Sequence, residues 1–153
     1  MMRTHIGTFL ALLICVACLR LAVGGDALYG KVVKVKSADV VTLDYGTGQY
    51  DVRLIGIEVT AQVAVEAAQF ISNLALDKNA DVHFDNGTKK GELLGRLFVQ
   101  EAPSQKMRDA GLELVRAGLA VRQKDFDYKD GSLSLAETEA RKERRGIWKS
   151  AQP

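Results

Sequence analysis

One segment sets the architecture of this chain: Y-D-V-R-L-I-G-I-E-V-T, residues 50–60. Its apolar Val52 and Leu54 interleave with charged residues, a pattern typical of a strand that is buried along most of one side. Two charged side chains, Arg53 and Glu58, lie on or beside this strand. Because a charge near a core is costly unless it meets a partner, a metal or a ligand, these two form either a structural ion pair or one wall of a site.

The N-terminal segment has the pattern of a secretory signal. Arg3 and His5 precede an apolar run at residues 6–18, and small residues follow Arg20. We therefore predict a signal peptide at residues 1–27, cleaved between positions 22 and 27, which is too short and too poorly flanked for a stable membrane span. The remaining residues 28–150 have room for one globular domain with one core.

The two cysteines, Cys15 and Cys18, both lie inside the predicted leader. Cleavage therefore leaves a secreted or periplasmic domain without thiols, whose stability depends on its core alone. An alternative interpretation is a lipoprotein processing site at Val16-Ala17-Cys18, with Cys18 lipidated.

The charge balance excludes one class of function. Removing residues 1–27 reduces the 21 basic and 19 acidic side chains to 19 and 18, a net charge of +1. Strong non-specific binding of nucleic acid normally shows a marked basic excess, so any affinity for a polyanion must be local.

The order of elements predicts an α+β fold that is mainly β. Alternating patterns predict strands, periods of three and four predict helices, and glycine-rich segments predict turns. Five short strands with a helix after the third indicate a Greek-key barrel of the oligonucleotide-binding (OB) type, with two further helices at the C-terminal end. The predicted strands are 31–36, 40–43, the segment at 50–60, 80–85 and 93–99, with a turn at Asn86-Gly87, and the predicted helices are 63–76, 107–117 and the segment from residue 132.

Four positions can act together on the predicted barrel: Asp39, Arg53, Glu58 and Arg96. The planar fork of arginine binds a phosphodiester through paired hydrogen bonds and can follow charge as it builds on the phosphoryl oxygens. Two carboxylates with a backbone carbonyl offer the hard oxygen ligands that Ca²⁺ prefers, and a bound metal could polarise the phosphate and position water.

Six short motifs occur along residues 30–148 in the order and spacing of one family. They are S-A-D-V-V-T-L, V-R-L-I-G-I-E, E-A-A-Q-F, G-R-L-F-V, L-E-L-V-R-A-G-L-A and A-R-K-E-R-R-G-I-W. In this the chain resembles the staphylococcal nuclease (thermonuclease) family. The resemblance implies an OB-fold barrel with three helices. It also implies a secreted, calcium-dependent phosphodiesterase that hydrolyses DNA or RNA, with single strands favoured, and that acts as a monomer.

The resemblance also assigns roles to the site residues. Asp39 matches the first calcium-binding aspartate of the family, and Glu58 stands where the second one is expected. Arg53 matches the first phosphate-binding arginine, and Arg96 matches the second, which stabilises the transition state and the leaving group. The implied catalytic set is thus Arg53, Arg96 and Glu58, with Asp39 and Glu58 as metal ligands.

Several positions depart from the family pattern. Ala61 replaces the glutamate that orients or deprotonates the attacking water, and an alanine cannot accept a proton. The acid expected two positions before Asp39 is Ser37, and the Asp-x-Tyr-Gly-Arg motif reads E-L-L-G-R at residues 92–96. The connection from Glu58 to the first helix is also short. These changes predict an impaired enzyme, and Glu66 near the helix start is a candidate to approach the site instead.

Two aromatic residues have two interpretations each. Phe126 and Tyr128 lie where the family places an aromatic ring against a nucleotide base, which makes Tyr128, with Arg53 and Arg96, a candidate substrate contact. Aromatic residues also cap barrels, and that use is equally compatible with the sequence. His83 alternates outward from a strand and is predicted to be a surface residue.

Three functions follow from these observations. The first is the calcium-dependent nuclease. The second is a non-catalytic OB-fold module that binds nucleic acid or protein through the same pocket. The third is a structural barrel in which Arg53 and Glu58 form an internal ion pair.

Overall fold

A computed structural model of the chain describes residues 26–89 and 91–149. Residues 1–25, with most of the predicted leader and both cysteines, lie outside the described residues, whereas residues 26 and 27 begin the first strand. The strands are β1 (Asp26–Ser37), β2 (Val40–Asp44), β3 (Gln49–Leu54), β4 (Ile57–Glu58), β5 (Asn79–Lys89), β6 (Glu92–Glu101), β7 (Lys106–Asp109) and β8 (Val121–Arg122), and the helices are α1 (Ala64–Ala75), α2 (Ala110–Arg116) and α3 (Ser132–Lys142).

Five of these strands close into a barrel. They are hydrogen-bonded in the order β3-β2-β1-β5-β6, and β3 then pairs with β6 in parallel, with Val52 opposite Leu93 and Leu54 opposite Gly95. All other pairings in the barrel are antiparallel. Strand β7 adds to the outer edge of β6, and β4 and β8 form a separate two-stranded ribbon. The predicted five-stranded OB-type barrel with three helices is confirmed.

The core follows the alternation that the sequence shows. Along β6 every second side chain is buried, so that Leu93, Leu97 and Val99 face inward. The predicted first helix is also confirmed, since Ala67 and Ile71 are fully buried in the same core. None of the helices within residues 26–89 and 91–149 has the length and apolar character needed to cross a bilayer.

The segment at residues 50–60 is two strands and not one. β3 ends at Leu54, and the chain turns at Gly56, whose φ of +78° is a conformation that other residues rarely adopt. A Cβ atom at this position would overlap the ring of Phe126, so the turn requires glycine. The backbone carbonyl of Gly56 accepts from the amide of Gln123 at 2.9 Å, which ties the turn to the segment before α3. As a result Arg53 and Glu58 lie on different strands and in different sheets.

Two further elements differ from the sequence-based expectation. Strand β5 continues through the predicted turn at residues 86–87 to Lys89, and its pairing with β6 is irregular between Phe84 and Thr88. The residues before α2 form strand β7, so this helix begins at Ala110 and not at 107. Asp109 is its N-cap, and the Asp109 side chain accepts a hydrogen bond from the amide of Leu112 at 3.0 Å.

Asp127 organises the start of α3 and confers a pH dependence on the fold. Its carboxylate accepts from the hydroxyl of Ser134 and from the backbone amides of Tyr128 (2.8 Å), Leu133 (3.1 Å) and Ser134 (3.3 Å). The hydrogen bond from Ser134, followed by those from the amides, lowers the pKa of Asp127 below its ordinary value of 3.8. Because the folded state favours the ionised form, this stabilisation is present above the unfolded-state pKa and is lost as pH falls through the folded-state pKa.

We therefore expect Asp127→Asn to lower the midpoint of urea unfolding at pH 7, and the difference from the unmodified protein to shrink below a pH of about 4. Urea titrations at both pH values measure this. Asp125→Asn is the matched control, because Asp125 is exposed and its side chain accepts no hydrogen bond in the described part of the chain. A deficit for Asp127→Asn that stays constant from pH 7 to pH 3 would contradict the assignment.

Candidate active site

The two arginines predicted from the sequence project from one outer face of the barrel. On β3 and β6 the buried side chains alternate with partly exposed ones, and Arg53 and Arg96 both belong to the partly exposed set. The parallel pairing places Arg53 opposite Leu94, two residues before Arg96 on the adjacent strand. The closure of the barrel therefore brings together two cations that are far apart in the sequence.

A cleft of about 410 Å³ lies beside Arg53. Three of the four predicted site residues, Asp39, Arg53 and Glu58, line this cleft. Glu92 and Gln123 complete its polar wall, and apolar residues 54, 57 and 59 form the rest. Arg96 is not among the lining residues, so the site has two parts.

In the first part, Arg53 is held between two carboxylates. Its Nε donates to Glu92 Oε2 at 2.7 Å and its Nη2 to Glu92 Oε1 at 3.3 Å, while Nη1 donates to Asp39 Oδ2. The hydrogen bonds from Glu92 are the main reason that the pKa of Arg53 lies above its ordinary value. Arg53 therefore stays a cation at any working pH, and its orientation is fixed by paired hydrogen bonds.

The alternative of an ion pair between Arg53 and Glu58 is wrong, because Arg53 pairs with other carboxylates. Arg53 pairs with Asp39 and Glu92, which are on the β1–β2 turn and on β6. Glu58 is exposed on β4 and makes no ion pair with any residue of the described ranges. The turn at Gly56 places the two charges on strands of different sheets.

Asp39 is positioned by its own turn. Its backbone carbonyl accepts from the amide of Leu54 at 2.8 Å, and its Oδ1 accepts from the hydroxyl of Ser37 at 2.7 Å. With Arg53 on Oδ2, both carboxylate oxygens already have a donor. Ser37 thus supplies a neutral hydrogen bond at the position where the family pattern has an acid.

In the second part, Arg96 is held by one carboxylate and two rings. Its Nε donates to Asp109 Oδ2 at 2.7 Å. Its Cζ lies 3.7 Å from the ring centroid of Tyr128 and 4.9 Å from that of Phe98. Asp109 is only 6% exposed, so a buried charge anchors the arginine. Because Asp109 takes Nε, the two Nη groups are the ones that a phosphate would meet.

The ring of Tyr128 supports Arg96 from inside the molecule. It is 7% exposed, belongs to the hydrophobic core, and its hydroxyl donates to the backbone carbonyl of Ile55 at 3.4 Å. Burial, with a further contribution from the charge of Asp109, raises the pKa of Tyr128 well above its ordinary range, so the phenol stays neutral. Of the two uses predicted for this ring, core packing is the one seen here. Contact of Tyr128 with substrate remains a prediction.

The metal-binding prediction rests on two carboxylates of the cleft, Asp39 and Glu58. Their oxygens suit Ca²⁺ in kind, since this ion takes about six to eight hard oxygen ligands. No group of three or more His, Cys, Asp or Glu side chains is arranged to hold a metal within residues 26–89 and 91–149. A calcium ion here would therefore take most of its ligands from water and backbone.

Position 61, where the resemblance predicts a water-activating glutamate, is open to solvent. Ala61 begins a 3-10 turn, Ala61–Val63, and is exposed. Glu66, the candidate replacement, is exposed on α1 and is not part of the cleft wall. The prediction that Glu66 approaches the site thus finds no support in the lining of the cleft.

Sequence reasoning missed three residues that complete the site. Glu92 and Gln123 line the cleft, and Asp109 holds Arg96. Glu92 was visible as the first residue of the E-L-L-G-R motif, where an acid is expected. Asp109 could have been recognised as an N-cap only if the start of α2 had been placed correctly.

Comparisons with known proteins identify the family. A family model described as "Staphylococcal nuclease homologue" matches residues 51–150. Proteins from Escherichia coli O157:H7 and from Escherichia coli, both named "Uncharacterized endonuclease", are 22% identical to this chain over 129 residues. In both, the match covers 82% of this chain and 80% of the relative's own length.

Proposed function

The chain belongs to the staphylococcal nuclease family, and on this premise we propose that it is a phosphodiesterase that hydrolyses DNA or RNA, with single strands favoured and Ca²⁺ as cofactor. One observation carries the proposal. Arg53 and Arg96 project from the same outer face, each fixed by a carboxylate, beside a cleft that also contains Asp39 and Glu58. The relatives named endonuclease support it.

The two arginines would have different roles in contacting the phosphate. Arg53 lies in the cleft and would bind a non-bridging oxygen of the scissile phosphodiester. Arg96 would meet the same phosphate with its Nη groups as negative charge builds on the phosphoryl oxygens and the leaving oxygen. In the reaction, water attacks phosphorus, the bond to the leaving oxygen breaks, and that oxygen takes up a proton. The fixed orientation of the two arginines helps the reaction, because hydrogen-bond donors that already point at the phosphate need no rearrangement during it.

Asp39 and Glu58 are the residues that would hold calcium. When bound there, Ca²⁺ would polarise a phosphoryl oxygen and neutralise part of its charge. Asp39 shares its oxygens with Ser37 and Arg53, so Glu58 is the more available ligand. We expect weak calcium binding as a consequence.

The cleft has no free carboxylate dedicated to water. Both oxygens of Asp39 and both oxygens of Glu92 already accept hydrogen bonds, so neither carboxylate has an oxygen left over for the attacking water. Glu58 would have to serve both the metal and the attacking water. Slow turnover follows, because loss of general-base assistance costs about two to four orders of magnitude.

A second candidate function is a non-catalytic module that binds nucleic acid or protein through the same face. It is favoured by the exposed alanine at position 61 and by the two carboxylates that already pair with Arg53.

For both candidate functions we propose that the protein is exported, to the periplasm or the medium, or is anchored by lipid at Cys18.

The nuclease proposal is tested with the full chain and a fluorogenic single-stranded DNA. We expect cleavage with Ca²⁺ and none with chelator. Glu58→Gln should raise the Ca²⁺ concentration needed for half-maximal rate by about ten-fold, since one charged ligand is lost. Glu66→Gln is the matched control, because it removes an exposed glutamate outside the cleft, and it should leave the calcium requirement unchanged.

Three results would decide between the candidates. Cleavage that persists in chelator, or that responds equally to the two glutamine variants, rejects the calcium site at Glu58. Binding of the DNA without any cleavage by the full chain favours the non-catalytic module. Absence of both binding and cleavage rejects the proposed function.

A further inference from the structure

A second and larger cavity lies next to the cleft. It has a volume of about 780 Å³ and lies between the β1–β2 turn and α1. Asp39 and Val59 line both cavities, so the two are adjacent. Volumes of about 300–1,000 Å³ are typical of sites that bind small molecules or parts of polymers.

The groove is open because the connection before α1 is short. Between the end of β4 at Glu58 and the start of α1 at Ala64 the chain makes only the tight turn Ala61–Val63. Two alanines, Ala64 and Ala68, form part of the groove wall. Small side chains and a short loop together leave a space that larger residues would fill.

The walls of the groove combine three kinds of contact. Ala68 and Val65 are apolar, and Val65 is 74% exposed, so one wall presents a flat aliphatic surface to solvent. Gln69 and Asn73 are exposed on the next turns of α1, and neither carboxamide is hydrogen-bonded within the described part of the chain. Lys36 also lines the groove, and its ammonium group pairs with Asp51, which lies outside the groove lining.

This combination matches one ligand chemistry. An aliphatic surface accepts the face of a base, carboxamides make paired hydrogen bonds with base edges, and a lysine binds a phosphate as a point charge. Protein segments would also use the apolar wall, but the groove shares Asp39 and Val59 with the cleft that contains Arg53, which favours a continuation of the strand bound there. We propose that the groove binds the nucleotides of a single strand that adjoin the scissile phosphate on the α1 side. This inference rests on the proposed function and extends it to a named subsite.

The test measures binding apart from turnover. The full chain is titrated, in Ca²⁺ at low salt, with fluorescein-labelled octathymidylate and dithymidylate whose phosphorothioate linkages resist hydrolysis, and anisotropy reports the dissociation constant. We expect the octamer to bind at least about five-fold more tightly than the dimer, which is the lower range for one well-made base contact. Ala68→Leu, which fills the groove, and Asn73→Ala, which removes one carboxamide, should each weaken octamer binding by at least that factor and leave dimer binding unchanged.

Two matched controls use residues outside the groove. Gln62→Ala removes an exposed carboxamide from the turn before α1, and Lys31→Ala breaks the exposed pair of Lys31 with Asp77, which resembles the pair of Lys36 with Asp51. Both should bind octamer like the unmodified chain, whereas Lys36→Ala should bind it more weakly. Asn73→Ala lies on an exposed position and keeps the test valid if Ala68→Leu does not fold.

The outcomes distinguish failure of the proposed subsite from failure of the proposed function. If Asn73→Ala and Ala68→Leu bind octamer as the unmodified chain does, while dimer and octamer both bind, the groove is not a subsite and the nuclease proposal stands. If neither oligonucleotide binds the unmodified chain, both proposals fall. Loss of octamer binding in the groove variants but not in the controls supports the subsite.

Discussion

Ala61→Glu is expected to raise the rate of single-stranded DNA hydrolysis by about two to four orders of magnitude, the usual contribution of a positioned general base. The site already has fixed arginines and the carboxylates of Asp39 and Glu58. On the proposed mechanism, what it lacks is a carboxylate dedicated to the attacking water, because Glu58 would also hold the metal. Position 61 follows β4 by three residues and is exposed, so a longer side chain can be added without disturbing the core. The measurement is kcat on a fluorogenic oligonucleotide in Ca²⁺.

The pH profile identifies how the new side chain acts. Only the ionised carboxylate accepts a proton, so the added rate should rise with pH as the glutamate is deprotonated and should vanish at lower pH. Ala61→Gln has nearly the same shape without the base, and Gln62→Glu adds the same charge one residue away. Neither should gain activity. Equal gains for Ala61→Gln would show that position 61 acts through packing, and no gain for Ala61→Glu would show that another step limits the rate.

Elements whose signal is local could be predicted from the sequence. The alternation at residues 93–99 and the helical period at 63–76 each record burial on one face, and both elements form where they were expected. The break in the segment at 50–60 could not be predicted in this way. Ile55-Gly56-Ile57 reads as continuous apolar sequence, and the need for glycine in this turn comes partly from the ring of Phe126, which is 70 positions further along the chain.

The candidate site also combines residues that can be predicted from the sequence with residues that cannot. Asp39, Arg53 and Arg96 can be predicted from the sequence because each lies in a motif whose order along the chain is informative. Their partners were not found, because a partner is chosen by strand register. The sequence leaves open whether Arg53 pairs with Glu58 or forms one wall of a site with it, whereas the parallel pairing of β3 with β6 brings Glu92 to Arg53. Asp109 was missed because strand β7 precedes α2 where the sequence indicated an uninterrupted helix.

Asp109 is expected to be the residue whose loss affects both stability and turnover most. Its carboxylate caps α2 through the amide of Leu112 and anchors Arg96 through Nε, and it is nearly inaccessible to solvent. Asp109→Ala should lower the free energy of unfolding by about 2–4 kcal/mol, which combines the loss of an N-cap with a cation left without its buried partner, reduced because Arg96 is partly exposed. Urea unfolding measures this.

Asp109→Asn separates the two roles, because asparagine also caps helices but carries no charge. It should recover roughly 1 kcal/mol of the stability lost in the alanine variant. It should not recover turnover, because a neutral amide no longer anchors Arg96 in the plane that a transition-state phosphate requires. We expect kcat to fall by about two orders of magnitude in both variants with little change in KM, the result expected when a contact made only in the transition state is lost. Full kcat in Asp109→Asn would mean that Asp109 serves the helix alone, and that the stacking on Tyr128 and Phe98 is enough to hold Arg96 in place.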